Sequence, residues 1–428
     1  MSKPKSGSST SGVTSFSKRA ARSLSRRLRD YGVVEPEGFD LSDVPSSDVA
    51  LYFSDGPVKL YQLTQWLPVF EQRTDRKTIV VVRQVETYNV LVGMTSLQVL
   101  LVPTFEDLMA LYDRADFHSV VYVNNGWTNF QSLSFQQAVH IHVNHGESDK
   151  ICMVSNQAKA YDKVFVAGEA AVRRHSAALV WFDAQHLVRV GRPQLDLEVN
   201  NPLAPYDGPT ITYAPTWEGE DDANNYTSVD LYGERIIAAA LAQPGARVIY
   251  KPHPRVFETE DSAVRKAHNA IVSAIKAAAS TDPSRGHAVL RKENILGVIR
   301  GTDVMISDVS SVTLDHLYLR PEAPIVLCDR RSDREQLLAD APIAAGSHVV
   351  DGASVHALTA DLAAIIASDP RAAKRRELRD YYFDSLEPGE STTRFWECLS
   401  AAIYDHDCAL GDLSRVRLAP TTDSGDSA

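Results

Sequence analysis

Short, continuously apolar segments recur along this sequence, and helix-like stretches separate them. Strands that are apolar throughout, rather than at every second residue, are typical of parallel sheets covered by helices on both faces. We predict strands at Val49–Ser54, Thr78–Arg83, Leu97–Val102, Ser119–Val123, Ala138–Val143 and Lys163–Val166, and a second block at Thr210–Ala214, Arg247–Lys251, Ala288–Leu290, Val304–Ser307, Pro324–Cys328 and His348–Val350. The sequence therefore predicts an α/β fold with two doubly wound, Rossmann-like domains, which bind ligands at the carboxyl ends of their strands.

The predicted division of the chain follows from these two blocks, which meet at a polar, proline-containing segment. We expect a first domain at residues 49–200 and a second at residues 206–390 of the 428. Residues 1–48 are expected to be a basic arm, largely disordered or amphipathic. A C-terminal helix at 391–410 could cross back to the first domain, and residues 411–428 are expected to be a disordered tail.

The formal net charge of −11 hides two opposite parts. Residues 1–30 contain eight Lys or Arg and one acid, a net charge of +7, which leaves −18 for the remainder. A body that acidic is not expected to bind nucleic acid, because attraction to phosphate backbones needs a positive surface. Within the arm, Phe16, Ala20, Leu24 and Leu28 recur every four residues among arginines. Residues 16–29 are therefore either a helix that lies on an anionic membrane surface or a solvated arm.

The signatures of several other protein classes are missing from the sequence. No apolar run approaches the roughly 18–20 residues of a membrane-spanning helix, and no secretory signal is recognisable. The four cysteines lack CxxC or zinc spacing, which favours a reducing cytoplasm. Dinucleotide-binding GxGxxG, P-loop GxxxxGK[ST] and HExxH motifs do not occur, which argues against NAD-dependent redox enzymes, P-loop NTPases and HExxH proteases.

Two polar clusters lie directly after predicted strands and could carry chemistry. His145 follows a strand and precedes Gly146, and a loop histidine beside a glycine can approach a substrate and titrate near neutral pH. Thr216 places a hydroxyl after the first strand of the second block, next to Trp217, which could stack on a base or sugar. An ordinary strand-ending turn is the alternative interpretation of the second cluster.

Two further clusters together predict a diphosphate site in the second domain. Lys251, His253 and Arg255 lie within five residues, and prolines on both sides of His253 fix its direction. Ser310 and Ser311 open a helix directly after a strand, where free backbone N–H groups and hydroxyls can bind phosphate. The alternative is that one serine only caps the helix. Asp315 lies one helical turn deeper and could accept hydrogen bonds from a ribose or polyol.

In this order the clusters resemble the CDP-glycerol glycerophosphotransferase family of teichoic acid and capsule polymerases, which has the GT-B fold. The motifs are His-Gly…Lys (His145, Gly146, Lys150), Ala-Pro-Thr (214–216), Lys-x-His-Pro (251–254) and Ser-Asp-x-Ser-Ser…Asp (307–315), followed by a strand with proline (324–326). The resemblance covers roughly residues 138–330. It implies two domains that face a central cleft, with the acceptor in the first and the CDP-polyol donor in the second.

The resemblance implies a transferase that moves a polyol phosphate, in the first instance glycerol phosphate, from a CDP-activated donor to a hydroxyl of a lipid-linked or polymeric acceptor, with release of CMP. His145 and His253 would be the catalytic residues, with His145 as the general base. The donor would be held by His253, Lys251, Arg255, Thr216, Ser310, Ser311 and Asp315. These residues require no metal and no cofactor.

The enzyme would be cytoplasmic and peripheral at the inner face of the membrane. The alternatives are a GT-B glycosyltransferase that uses a nucleotide-activated sugar, and a non-catalytic membrane-associated scaffold.

Overall fold

The computed structural model describes residues 44–418, whose strands form two parallel sheets. The strands of the first sheet are β1 (Val49–Phe53), β2 (Thr78–Val82), β3 (Gln98–Leu101), β4 (Ser119–Tyr122), β5 (Val139–His142), β6 (Lys163–Val166) and β7 (Leu187–Arg189). Those of the second are β8 (Thr210–Ala214), β9 (Arg247–Tyr250), β10 (Ala288–Val289), β11 (Val304–Asp308), β12 (Ile325–Cys328) and β13 (His348–Val350). The spatial orders are β3-β2-β1-β4-β5-β6-β7 and β10-β9-β8-β11-β12-β13, so each is doubly wound as predicted.

Helices connect the strands and cover both faces of each sheet. In the first half they are α1 (Tyr61–Thr64), α2 (Leu67–Glu71), α3 (Val85–Leu91), α4 (Phe105–Ala115), α5 (Asn129–Ser132), α6 (Glu169–Ala178) and α7 (Pro193–Asp196). In the second half they are α8 (Gly233–Leu241), α9 (Ser262–Thr281), α10 (Ile295–Arg300), α11 (Ser311–Leu319), α12 (Arg334–Asp340), α13 (Leu358–Ala367), α14 (Ala372–Phe383) and α15 (Glu390–Leu418).

The continuous apolar character of the strands reflects burial on both faces. In β1, Val49, Leu51 and Phe53 belong to one apolar cluster, whereas Ala50 and Tyr52 belong to the cluster on the opposite face. All five are at most 1 % exposed. A strand in this position has no solvent face, so its sequence shows no polar alternation.

The twelve predicted strands are all present, and each end lies within one residue of its expected position. The additional strand β7 was not predicted, because it has only three residues and lies half-exposed at the sheet edge. The chain between β1 and β2 forms short helical pieces rather than one helix. Pro68 lies in the first turn of α2, where its missing N–H starts a new helix rather than continuing the previous one.

The last helix returns the chain from the second sheet to the first. Phe395, Trp396 and Leu399 of α15 pack in a first-sheet core, and the rings of Trp396 and Phe70 are 5.3 Å apart. The helix extends to Leu418 rather than ending at residue 410, because Gly411 lies inside it with helical geometry and does not act as a left-handed cap. No helix among residues 44–418 is long and apolar enough to cross a membrane. The segment 16–29, with most of the predicted arm and the end of the predicted tail, lies outside the described residues.

Candidate active site

The predicted site residues lie where strands of the two sheets end. His145 follows β5 in the first sheet, whereas Thr216, Lys251 and Ser310 follow β8, β9 and β11 in the second. The two edges meet at Gly146, where an added Cβ would lie 3.5 Å from the Cβ of Ser311. The structure thus brings the four sequence clusters into one cleft.

The loop that carries His145 is held by its own backbone and by α1–α2. Asn144 has a positive φ of 54°, a left-handed conformation that asparagine tolerates. Its side-chain oxygen accepts a hydrogen bond from the His145 N–H at 2.8 Å, and its carbonyl accepts one from Trp66 Nε1 at 2.6 Å. The turn therefore fixes where the His145 ring projects.

The two predicted catalytic histidines both pack edge-to-face against the ring of Tyr61. The centroid of Tyr61 lies 5.9 Å from that of His145 and 6.0 Å from that of His253, with interplanar angles of 88° and 87°. Burial, with a contribution from Arg192, lowers the pKa of His145 to about 4. Burial and the neighbouring Lys150, Arg255 and Lys251 lower the pKa of His253 to about 3. Both rings are therefore neutral at pH 7 in the free protein.

Three cationic side chains, Lys150, Lys251 and Arg255, lie near His253 and could bind an anionic ligand. The Lys150 ammonium, from the first domain, donates to Thr216 Oγ1 at 2.8 Å. Burial lowers the pKa of Lys150 and of Lys251. The Arg255 guanidinium lies 4.1 Å from the centroid of Trp217, so this indole positions an arginine at the site rather than standing free to stack on a base.

The N-terminus of α11 has the features expected of a phosphate-binding end. Ser310 occupies the N-cap position, but its side chain makes no capping hydrogen bond. Its hydroxyl is buried and has no hydrogen-bond partner among residues 44–418, although such groups are nearly always paired. The alternative that Ser310 serves only as a side-chain cap does not agree with this geometry. Ser311, the first helical residue, is half-buried at the cleft.

Asp315 forms an ion pair that the sequence did not predict. Its Oδ1 lies 3.1 Å from Nη1 of Arg192, a buried ion pair between the two domains. Burial raises the pKa of Asp315 to about 6, and Arg192 opposes that rise. The 123 positions that separate Arg192 from Asp315 leave no local signal for their pairing.

Two other buried carboxylates complete the site. Asp308 Oδ2 accepts a hydrogen bond from the Thr216 backbone N–H at 2.7 Å and so ties β11 to the Thr216 turn. Burial raises the pKa of Asp308 to about 7. Its place in the Ser-Asp-x-Ser-Ser motif was the signal that could have identified it. Asp149 lies in the histidine loop, where it pairs with Arg174 at 2.9 Å and accepts from the Tyr382 hydroxyl at 2.5 Å.

Tyr61 should act as a positioning residue for both histidines. Replacing it with alanine removes the ring that both contact and admits water, so we expect about a tenfold loss in kcat/KM. Better hydration also raises the pKa of both histidines toward about 6.5, so the acid limb of the pH–rate profile moves to higher pH. Tyr61→Phe keeps the ring and should keep the wild-type limb. An unshifted limb in Tyr61→Ala would contradict this role.

Two doubly wound parallel sheets that face a cleft at their carboxyl ends define the GT-B class of folds, and solved structures confirm this fold. A point variant of the wall teichoic acid polymerase TagF is similar at a TM-score of 0.56 and 13 % identity, over 92 % of this chain and 98 % of that one. TagF soaked with CDPG gives 0.53 at 14 % identity, over 92 % and 98 %. Anabaena Alr3699/HepE in complex with UDP and glucose gives 0.51 at 10 % identity, over 83 % and 100 %.

The family within this class follows from the sequence itself. The model of the CDP-glycerol:poly(glycerophosphate) glycerophosphotransferase family matches residues 69–399, and the chain belongs to this family. The expected family resemblance and the expected enzyme class, a CDP-glycerol glycerophosphotransferase-type transferase, are thereby confirmed. No curated protein matches the sequence significantly.

Proposed function

We propose that this chain transfers glycerol phosphate from CDP-glycerol to a hydroxyl of a lipid-linked or polymeric, teichoic-acid-like acceptor and releases CMP. One observation carries the assignment of roles. A neutral histidine from the first domain and a cation-surrounded histidine from the second contact the same Tyr61 ring. A base and an anion site are therefore held on opposite sides of one cleft.

The donor is proposed to bind to the second domain, with its diphosphate at His253, Lys251 and Arg255. The free N–H groups of α11 and the unpaired Ser310 hydroxyl would complete this site. The three cations around His253 (Lys150, Arg255 and Lys251) add to the effect of burial in lowering its pKa, so positive charge is in excess at this ring. A bound diphosphate would reverse this imbalance. Thr216 would orient the Lys150 ammonium toward the phosphates.

The proposed reaction is a single displacement at the phosphorus that carries glycerol. His145 accepts the proton of the acceptor hydroxyl as the oxygen forms a bond to that phosphorus. The bond from phosphorus to the bridging oxygen breaks, and CMP leaves with the electron pair. Charge that develops on the phosphoryl and leaving oxygens is stabilised by Lys251, His253, Arg255 and the N-terminus of α11. CMP is a good leaving group, so no strong general acid is needed.

The membrane would supply the acceptor, and residues 16–29 are proposed to hold the enzyme there. The acidic body would be repelled by anionic lipid, whereas the arm carries the opposite charge. Peripheral attachment at the inner face of the membrane is thus part of the proposal. A chain that begins at residue 31 should lose binding to anionic vesicles at low salt.

Donor choice tests the proposed function directly. We expect CDP-glycerol to raise the melting temperature and to release CMP when a soluble acceptor is added, because only a ligand of the folded state stabilises it. CDP-ribitol, UDP-glucose and CMP-sialic acid are the comparison donors at equal concentration. Stabilisation and turnover with UDP-glucose, but not with CDP-glycerol, would overturn the proposal in favour of a sugar transferase.

A further inference from the structure

A small polar cavity lies on the first-domain side of the histidine loop, next to the proposed cleft site. Its volume is about 30 Å³, and it lies beneath the carboxyl ends of β5, β6 and β7. The polar residues around it include Asn125, His142, Glu147, Arg174, Arg192 and Gln194. The mechanism described above uses none of them.

Four of these residues present a buried polar atom that has no hydrogen-bond partner within residues 44–418. The atoms are Asn125 Oδ1, His142 Nε2, Arg174 Nε and Gln194 Nε2. His142 and Gln194 are no more than 4 % exposed. A buried polar group without a partner is destabilising and rare in native proteins, so four around one cavity indicate a ligand that supplies the missing bonds.

The charges around the cavity favour an uncharged ligand. Arg174 already pairs with Glu147 and Asp149, and Arg192 pairs with Asp315. Both guanidinium groups are therefore neutralised, and no excess positive charge remains for a phosphate. The unpaired atoms combine nitrogen donors with one carbonyl acceptor, and a hydroxyl can satisfy both kinds.

The size of the cavity restricts the ligand further. A cavity needs about 10–15 Å³ to hold one water molecule, so the volume of about 30 Å³ accommodates one hydroxyl-bearing carbon rather than a sugar ring.

The cavity adjoins the cleft through Gly146 and Arg192. Gly146 directly follows His145, and a Cβ at Gly146 would lie 3.9 Å from Arg192 Nη1 and 3.9 Å from Ser311 Oγ. A polyol that places one hydroxyl in the cavity can thus extend toward the proposed base. Gln194 fixes the Arg192 side chain at this entrance, because its Oε1 accepts from Arg192 Nε at 3.2 Å.

We propose that this cavity is a specificity subsite that binds a non-reacting hydroxyl of the acceptor's terminal polyol, with Gln194 Nε2 as its main donor. The subsite rests on the proposed function, because it presupposes a polyol acceptor. It selects acceptors that carry a second hydroxyl beside the one that attacks.

Two soluble acceptors that differ by one hydroxyl test the subsite. Octyl glycerol phosphate has two free hydroxyls, whereas octyl 1,3-propanediol phosphate has only the attacking one. We expect the wild-type kcat/KM to favour the former by about tenfold or more, since each tenfold step equals about 1.4 kcal/mol. Gln194→Glu retains an oxygen for Arg192 but removes the Nε2 donor, so the preference should fall to about threefold or less. Gln185→Glu, an exposed change of the same kind in the first domain, should retain the preference.

The readouts separate failure of the subsite from failure of the proposed function. CMP release from CDP-glycerol in wild type tests the function without reference to acceptor choice. If CMP is released but wild type does not prefer the glycerol acceptor, the subsite is wrong. The same conclusion follows if Gln194→Glu keeps the full preference, or if a crystal soaked with octyl glycerol phosphate shows only water at Gln194 Nε2.

Discussion

His145→Ala should lower CMP release from CDP-glycerol by about 10²–10⁴-fold, the usual contribution of a positioned general base. The loss should fall on kcat, because His145 meets the acceptor hydroxyl and not the donor. Donor binding, followed by the rise in melting temperature on addition of CDP-glycerol, should remain within a few-fold of wild type. The fold should tolerate the change, since the backbone N–H of His145 and the Asn144 turn are unaffected.

The control for this variant is a histidine that has no place in the cleft. His356 is exposed in the loop after β13, and His356→Ala should leave turnover unchanged. Turnover by His145→Ala that equals that of His356→Ala would remove His145 from the role of base.

The pH profile provides a second measurement on the same residue. Burial holds the pKa of His145 at about 4, so the neutral, proton-accepting form persists well below the ordinary value. We expect kcat/KM, which reports the free enzyme, to lose its His145-dependent limb only as pH falls toward 4. A limb centred near pH 6.5 would mean that His145 is hydrated and not held as the structure shows.

The strands and the cleft could be predicted because their signals are local. Apolar runs such as Val49–Phe53 identify buried parallel strands, and parallel strands place all of their carboxyl ends on one edge. Any polar residue directly after a strand, such as Thr216 or Ser310, is then assigned to the cleft without further information. The prolines on both sides of His253 likewise made the direction of that loop predictable.

The partners of those residues could not be predicted, because they come from distant parts of the chain. Tyr61 lies 84 positions before His145, in a short helix whose sequence resembles that of any other. The pairing of Arg192 with Asp315 depends on how the two domains meet, which no local pattern encodes. Arg174 directly follows Arg173 in the same helix. Arg174 is largely buried and Arg173 is exposed, and only the packing of the folded chain distinguishes the two.

Arg174→Met should be the most destabilising of these substitutions, because it leaves two buried carboxylates without their counter-ion. The Arg174 guanidinium contacts Glu147 and also Asp149, whose side chains are only 7 % and 2 % exposed. Removal of one partner of a buried ion pair costs about 3–5 kcal/mol in the free energy of unfolding. Arg173→Met is the matched control: its side chain is 70 % exposed, pairs with Glu169 and lies 5.7 Å from the centroid of the Tyr381 ring, and we expect a change of about 0.5 kcal/mol or less.

The effect of Arg174→Met should depend on pH in a direction set by Asp149. Burial raises the pKa of Asp149 to about 6 in the folded protein even with Arg174 present. A raised carboxyl pKa means that stability falls as pH rises from about 4 through the folded value. Without the arginine that pKa rises further, so the loss in free energy of unfolding relative to wild type should be larger at pH 8 than at pH 5, where Asp149 is protonated.

Adding Glu147→Gln and Asp149→Asn to Arg174→Met should recover much of the loss at pH 8. A deficit that is the same at both pH values would show that lost packing, rather than uncompensated charge, is responsible. Glu147 and Asp149 belong to the loop that carries His145. If uncompensated charge on these two carboxylates is the cause, turnover of Arg174→Met at 20 °C should therefore fall together with its free energy of unfolding.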